Sequence, residues 1–155
     1  MLPQIRFILV STLSLAAWHV VDGIYGMWNG AFIARLLPSN ALLNTPGAVL
    51  LSDGRVLDYG RWANWSLDAG IDPTLFAPFF LALGILGFIG LVLFLQARPV
   101  GWAMLLAFSL GCGLRLGVPL AVGILLFAVL LLPATRALLD SGIKVRVVDD
   151  NESEA

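Results

Sequence analysis

Residues 100–132 read VGWAMLLAFSLGCGLRLGVPLAVGILLFAVLLL, with Arg115 as the one charge in the stretch. As a single straight α-helix it would reach about 48 Å, well past a hydrocarbon core of about 30 Å. The stretch therefore has to be divided. Its midpoint, Gly111-Cys112-Gly113-Leu114-Arg115-Leu116-Gly117-Val118-Pro119, supplies glycine, a charge and proline where a reversal belongs. The sequence accordingly predicts two spans here, 100–114 and 119–137. The first is short, about 23 Å, and requires a locally thinned bilayer or a place tucked between neighbours.

Upstream, Gln96-Ala97-Arg98-Pro99 closes another apolar segment, predicted over 75–96. Asp72 suits its N-cap, and Pro73 its first helical position, where a missing N–H would have gone unpaired anyway. Pro78 is expected to bend its first turns. A further span is predicted over 7–28, after Arg6. Arg6, the apolar run from Phe7 and the small residues Ser14-Leu15-Ala16 also resemble a cleavable signal peptide. Apolar character continues past that cut through Val20, Val21 and Ile24, so a retained helix is the reading adopted.

Between the first two spans, residues 38–72 are polar by the standards of this chain. Pro38-Ser39-Asn40 and Asn44-Thr45-Pro46-Gly47 are breakers. Ala48-Val49-Leu50-Leu51 and Val56-Leu57-Asp58-Tyr59 flank Ser52-Asp53-Gly54-Arg55, and Asp-Gly readily takes the positive φ angles of a tight turn, which predicts a short β-hairpin. Tyr59, Trp62 and Trp65 fit the headgroup zone, where an amphipathic ring meets both environments it favours, and are the candidate contact residues of the loop. Residues 140–155 end in Asp149-Asp150-Asn151-Glu152-Ser153-Glu154, an acidic tail expected to be solvated and disordered.

Composition agrees with this layout. Of 155 residues 59% are hydrophobic and 12% charged, and mean hydropathy is +0.93. Soluble domains carry roughly twice that share of charge, so the apolar excess needs a solvent other than water. The fold class predicted is an all-α integral membrane protein, a four-transmembrane-helix bundle with a short extracytoplasmic hairpin-containing loop between the first two helices. Residues 1–139 form its single membrane domain. Lys144 is the only lysine among nine basic residues, an arginine bias that suits a GC-rich bacterial genome and hence an inner membrane. With both termini cytoplasmic, Arg6, Arg98, Arg136, Lys144 and Arg146 lie inside and Arg35, Arg55, Arg61 and Arg115 outside. Arg136 at the end of the last span, with Lys144 and Arg146 within ten positions after it, favours that orientation.

A net charge of −1 argues against nucleic acid as a partner. Cys112, the sole cysteine, allows neither an internal disulfide nor a cysteine-based zinc site. No serine occupies a nucleophile elbow and no Gly-rich loop ends in Lys-Ser/Thr. The expectation is therefore a protein without enzymatic activity, metal or cofactor. His19 alone offers a haem or chlorophyll-type ligand, but no second histidine exists for bis-His ligation.

What chemistry remains lies at membrane depth. His19 and Asp22, three apart, share a helix face, and ionisable side chains in a span suggest function by default. Asp22 is expected to pair with Arg115, with His19 as a hydrogen-bonding third member; the pair holds helices in register or forms part of a proton or ion path, the alternative being interfacial residues that face water separately. Gly84, Gly87 and Gly90 mark a helix-packing face, since small residues let backbones approach closely. The functions expected are protein contact, as an accessory subunit of a membrane complex or an immunity protein against a membrane-acting toxin, and alternatively a small transporter or channel subunit. Partners are the lipid bilayer and another membrane protein, with an oligomer compatible with the glycine face.

Overall fold

A computed structural model describes residues 3–30, 48–50, 56–58, 68–115 and 118–140. Helix dominates it. α1 spans Pro3–Asn29, α2 Phe76–Leu95, α3 Pro99–Cys112, α4 Val118–Leu131 and α5 Pro133–Asp140; the strands β1 Ala48–Leu50 and β2 Val56–Asp58 pair antiparallel with Val49 opposite Leu57. The turn between these strands lies outside the described residues. α1 and α2 are long and apolar enough to cross a membrane, whereas α3 and α4 have 14 residues each. Contacts divide the chain into two compact units, Leu13–Phe88 and Met1–Thr12 with Ile89–Ala155.

The element ends follow local chemistry. α1 begins at Pro3, ahead of the expected Phe7, because proline needs no N–H partner in a first turn. It stops at Gly30, whose φ of 65° takes the left-handed conformation and whose N–H reaches the Gly26 carbonyl at 2.9 Å. The Asp72 carboxylate accepts the Thr74 N–H at 2.8 Å and Leu75 N–H bonds the Asp72 carbonyl at 3.1 Å, so a 3₁₀ turn, Pro73–Leu75, leads into α2. At the other end Ala97 has φ 56°. Arg98 N–H donates to Leu93 O at 3.0 Å and Ala97 N–H to Phe94 O at 2.9 Å, the paired bonds of a Schellman turn with alanine where glycine is usual. Pro99 then opens α3.

α3 ends at Cys112 and α4 begins at Val118. After Cys112, N–H groups of Gly113, Leu114 and Arg115 bond the carbonyls three residues back, tightening the helix end as a 3₁₀ coil does. The last helix departs from the expectation. It was expected to run to Ala137, but α4 ends at Leu131 and α5 starts at Pro133. Pro133 has no N–H to give the Val129 carbonyl four residues back, and its ring crowds that position. The Thr135 hydroxyl takes that carbonyl instead, at 2.7 Å, alongside Leu132 N–H at 3.2 Å. Asp140, assigned to the tail by the sequence, closes α5.

Within the unit Leu13–Phe88, α1 and α2 run antiparallel at backbone contact. A Cβ on Gly23 would sit 2.6 Å from the Leu81 nitrogen, and one on Gly84 would sit 2.7 Å from the Ala16 carbonyl oxygen. In the other unit the end of α2 packs on α3, where Gly90 faces Met104 and Leu105 and Gly101 lies against the Leu93–Phe94 backbone. α3 packs on α4, where a Cβ on Gly123 would meet the Cys112 Cβ at 2.9 Å and the Ser109 carbonyl oxygen at 3.0 Å.

Candidate functional site

The inward faces carry the polar side chains. On α1 burial falls on Ile5, Ile8, Thr12, Leu15, His19, Asp22 and Gly26, alternating steps of three and four that keep one stripe turned inward. His19 and Asp22 are both 0% exposed and share that stripe, as their spacing implies. The outward face holds Val10, Leu13, Trp18, Val21, Ile24 and Met27. α2 repeats the division, with Ala77, Phe80, Gly84, Gly87, Leu91 and Phe94 inside and Phe79, Ile85, Ile89 and Val92 outside.

Three of the buried polar side chains, Ser11, His19 and Ser109, bond carbonyls of their own helices. The His19 Nδ1 lies 2.6 Å from the Leu15 carbonyl, which can only accept, so Nδ1 carries hydrogen and donates. Its ring also meets Phe80 with centroids 5.6 Å apart at 41°. Ser11 Oγ donates to Phe7 O at 2.5 Å and Ser109 Oγ to Leu106 O at 2.8 Å. Back-bonding of this kind to carbonyls three or four residues earlier gives a polar side chain a local hydrogen bond within an apolar environment.

Arg115, 7% exposed, lies three residues past the end of α3, and its N–H donates to Cys112 O at 3.1 Å. Asp22 belongs to one compact unit and Arg115 to the other. Their expected pairing therefore rests on charge and burial alone. Of the glycine face, Gly84 meets α1 and Gly90 meets α3, while Gly87 is buried. Both measured approaches are spent inside the chain. Tyr59, Trp62 and Trp65 lie outside the described residues. Asp72 is solvent-exposed, and the Thr74 backbone N–H, then the Thr74 side chain, hold its carboxyl below the ordinary carboxylate range.

One cluster went unread in the sequence. Trp102, one turn into α3, donates its indole N–H to the Leu130 carbonyl at 2.9 Å, and the Arg136 guanidinium stands 5.4 Å from the Trp102 ring centroid. Leu130 is in the last turn of α4, where carbonyls lack intrahelical donors, so the indole satisfies a group that the helix end leaves open. Arg98-Pro99 and Pro133 were the available signals: a tryptophan four residues past a basic residue at a helix start marks an interface, and a proline inside an apolar run frees carbonyls.

The chain matches no family model, no curated protein and no solved structure.

Proposed function

We propose that this chain is a polytopic bacterial inner-membrane protein, a four-helix bundle with cytoplasmic termini and the 38–72 loop outside, acting through protein contact. The observation carrying the membrane part is the inversion of polarity between helix faces. His19, Asp22, Thr12, Ser109 and Arg115 are buried while Trp18, Val21, Ile24, Ile85 and Val92 are exposed. A water-soluble protein gains by hiding the second group and hydrating the first; in lipid, where apolar side chains lose nothing by facing outward, the preference reverses. Arg98 and Arg136 at one end of α3 and α4 suit the positively charged inner side.

Protein contact is favoured by the way buried polar groups are used. His19, Ser11 and Ser109 bond backbone on their own helices, an arrangement that serves packing. An accessory subunit of a membrane complex and an immunity protein against a membrane-acting toxin both fit such a chain. Solubilisation in mild detergent followed by affinity capture tests the proposal. A membrane protein recovered in stoichiometric amount supports it, and a chain that purifies alone from its native membrane, at native abundance, overturns it.

The second reading, a small transporter or channel subunit, draws on His19 and Asp22 lying fully buried on one stripe of α1. It requires proton or ion flux in vesicles that Asp22→Asn abolishes. Pairing of Asp22 with Arg115 is common to both readings: two unlike charges in an apolar chain are each stabilised by the other. Under it, Asp22→Asn and Arg115→Gln separately reduce folded yield and the double variant recovers it.

A further inference from the structure

The end of the bundle formed by the start of α3, the last turn of α4 and α5 holds two exposed arginines against apolar surface. Arg98 precedes α3, and Arg136 lies in the first turn of α5; both are exposed. Trp102 connects them: it is one turn beyond Arg98, its ring faces the Arg136 guanidinium at 5.4 Å, and its N–H is fixed on Leu130 O at 2.9 Å. A guanidinium over a ring still has five N–H donors with which to bond an oxyanion. The helix breaks at Pro133, between α4 and α5, where the Thr135 hydroxyl takes the Val129 carbonyl at 2.7 Å. Val100, Leu131 and Leu132 around it are 59%, 52% and 43% exposed, a surface that suits acyl chains.

We infer that Arg98, Trp102 and Arg136 form a binding site for the headgroup of an anionic phospholipid, with α5 lying along the membrane surface. The inference rests on the membrane reading above. The ligand is a lipid because the cations are bordered by apolar side chains that a free anion or an acidic protein segment would leave in water, whereas a lipid covers both. Stacking on Trp102 lowers the entropy lost when Arg136 closes on a phosphate.

Native mass spectrometry of the full chain, released from detergent with equal amounts of phosphatidylglycerol and phosphatidylcholine of identical acyl chains, tests the site. An arginine near the membrane surface contributes about fivefold in affinity for anionic lipid. Wild type is expected to take up phosphatidylglycerol preferentially, each of Arg98→Gln and Arg136→Gln to lose about fivefold of that preference, and the double variant to show almost none. Arg98→Lys with Arg136→Lys, which keeps the charge, should retain most of it and also reports that the surface still folds. Equal uptake of both lipids by wild type overturns the site, as does an equal loss of preference on neutralising Lys144 and Arg146 instead. Displacement of the lipid by inorganic phosphate assigns the site to a free anion and overturns the lipid assignment. An alkaline carbonate wash separates the two levels: a chain that stays in the pellet but shows no lipid preference sinks the site alone, and a chain released by the wash sinks the membrane reading with it.

Discussion

Ala97 holds a left-handed backbone, φ 56°, to complete the Schellman turn between α2 and α3. An L-residue there crowds its Cβ against the backbone, a strain glycine avoids. Ala97→Gly is expected to raise stability by about 1 kcal/mol in a detergent unfolding titration, and a lower midpoint would contradict the strain. Asp72 makes a prediction about pH. Its carboxyl is held below the ordinary range by the Thr74 N–H, so its ionised form favours the folded helix start above about pH 4, and that contribution fades as pH falls through the lowered value. Amide exchange at Thr74 should therefore quicken in acid, and Asp72→Asn, which keeps an acceptor without the charge, should flatten the profile. These caps were legible in the sequence because capping is local: Asp-Pro and Arg-Pro announce it within two residues. The Nδ1 bond of His19 was not, since the spacing of His19 and Asp22 fixes a face and leaves the rotamer open.

Helix contact depends on the missing side chains of a few glycines. At Gly23 and Gly84 a methyl would press on Leu81 backbone and the Ala16 carbonyl, neither of which can move without the helix. Gly23→Ala and Gly84→Ala should each destabilise by about 1–3 kcal/mol, read as earlier unfolding in graded SDS, while Ala17→Val on the exposed face of α1 should be nearly neutral. Gly84 was legible from its repeat with Gly87 and Gly90. Gly23, Gly101 and Gly123 were not, because a lone glycine in an apolar run carries no sign of what faces it. The same holds at Pro133. Its power to break a helix was readable, but helix-forming residues continuing past it to Ala137 masked it. Removing the hydroxyl that compensates the break, Thr135→Val, should lose about 1 kcal/mol in the same assay, since the exchange keeps shape and deletes one buried hydrogen bond.

For the whole molecule, the apolar excess and the length of residues 100–132 gave the helical class and the places where the chain must turn. Which side chains face inward was recoverable from the three-and-four spacing along α1; how far α3 and α4 extend was not, because helix ends depend on carbonyls that find donors elsewhere, as Leu130 finds Trp102. Topology is a prediction at this scale. A reporter joined after Ala155 should be active only in the cytosol and one inserted within residues 38–47 only outside; a periplasmic signal at the end of the chain would refute the orientation.

α1 is seven residues longer than α2, 27 against 20. At 1.5 Å per residue that is about 10 Å, a third of a typical hydrocarbon core. A rod that outlasts its solvent layer must lean or protrude, and Trp28, 86% exposed near its end, is the side chain such a lean would carry through the boundary. Lipids with longer tails would let α1 stand more upright, so the molecule should act as a gauge of bilayer thickness, melting highest where tail length and helix length agree.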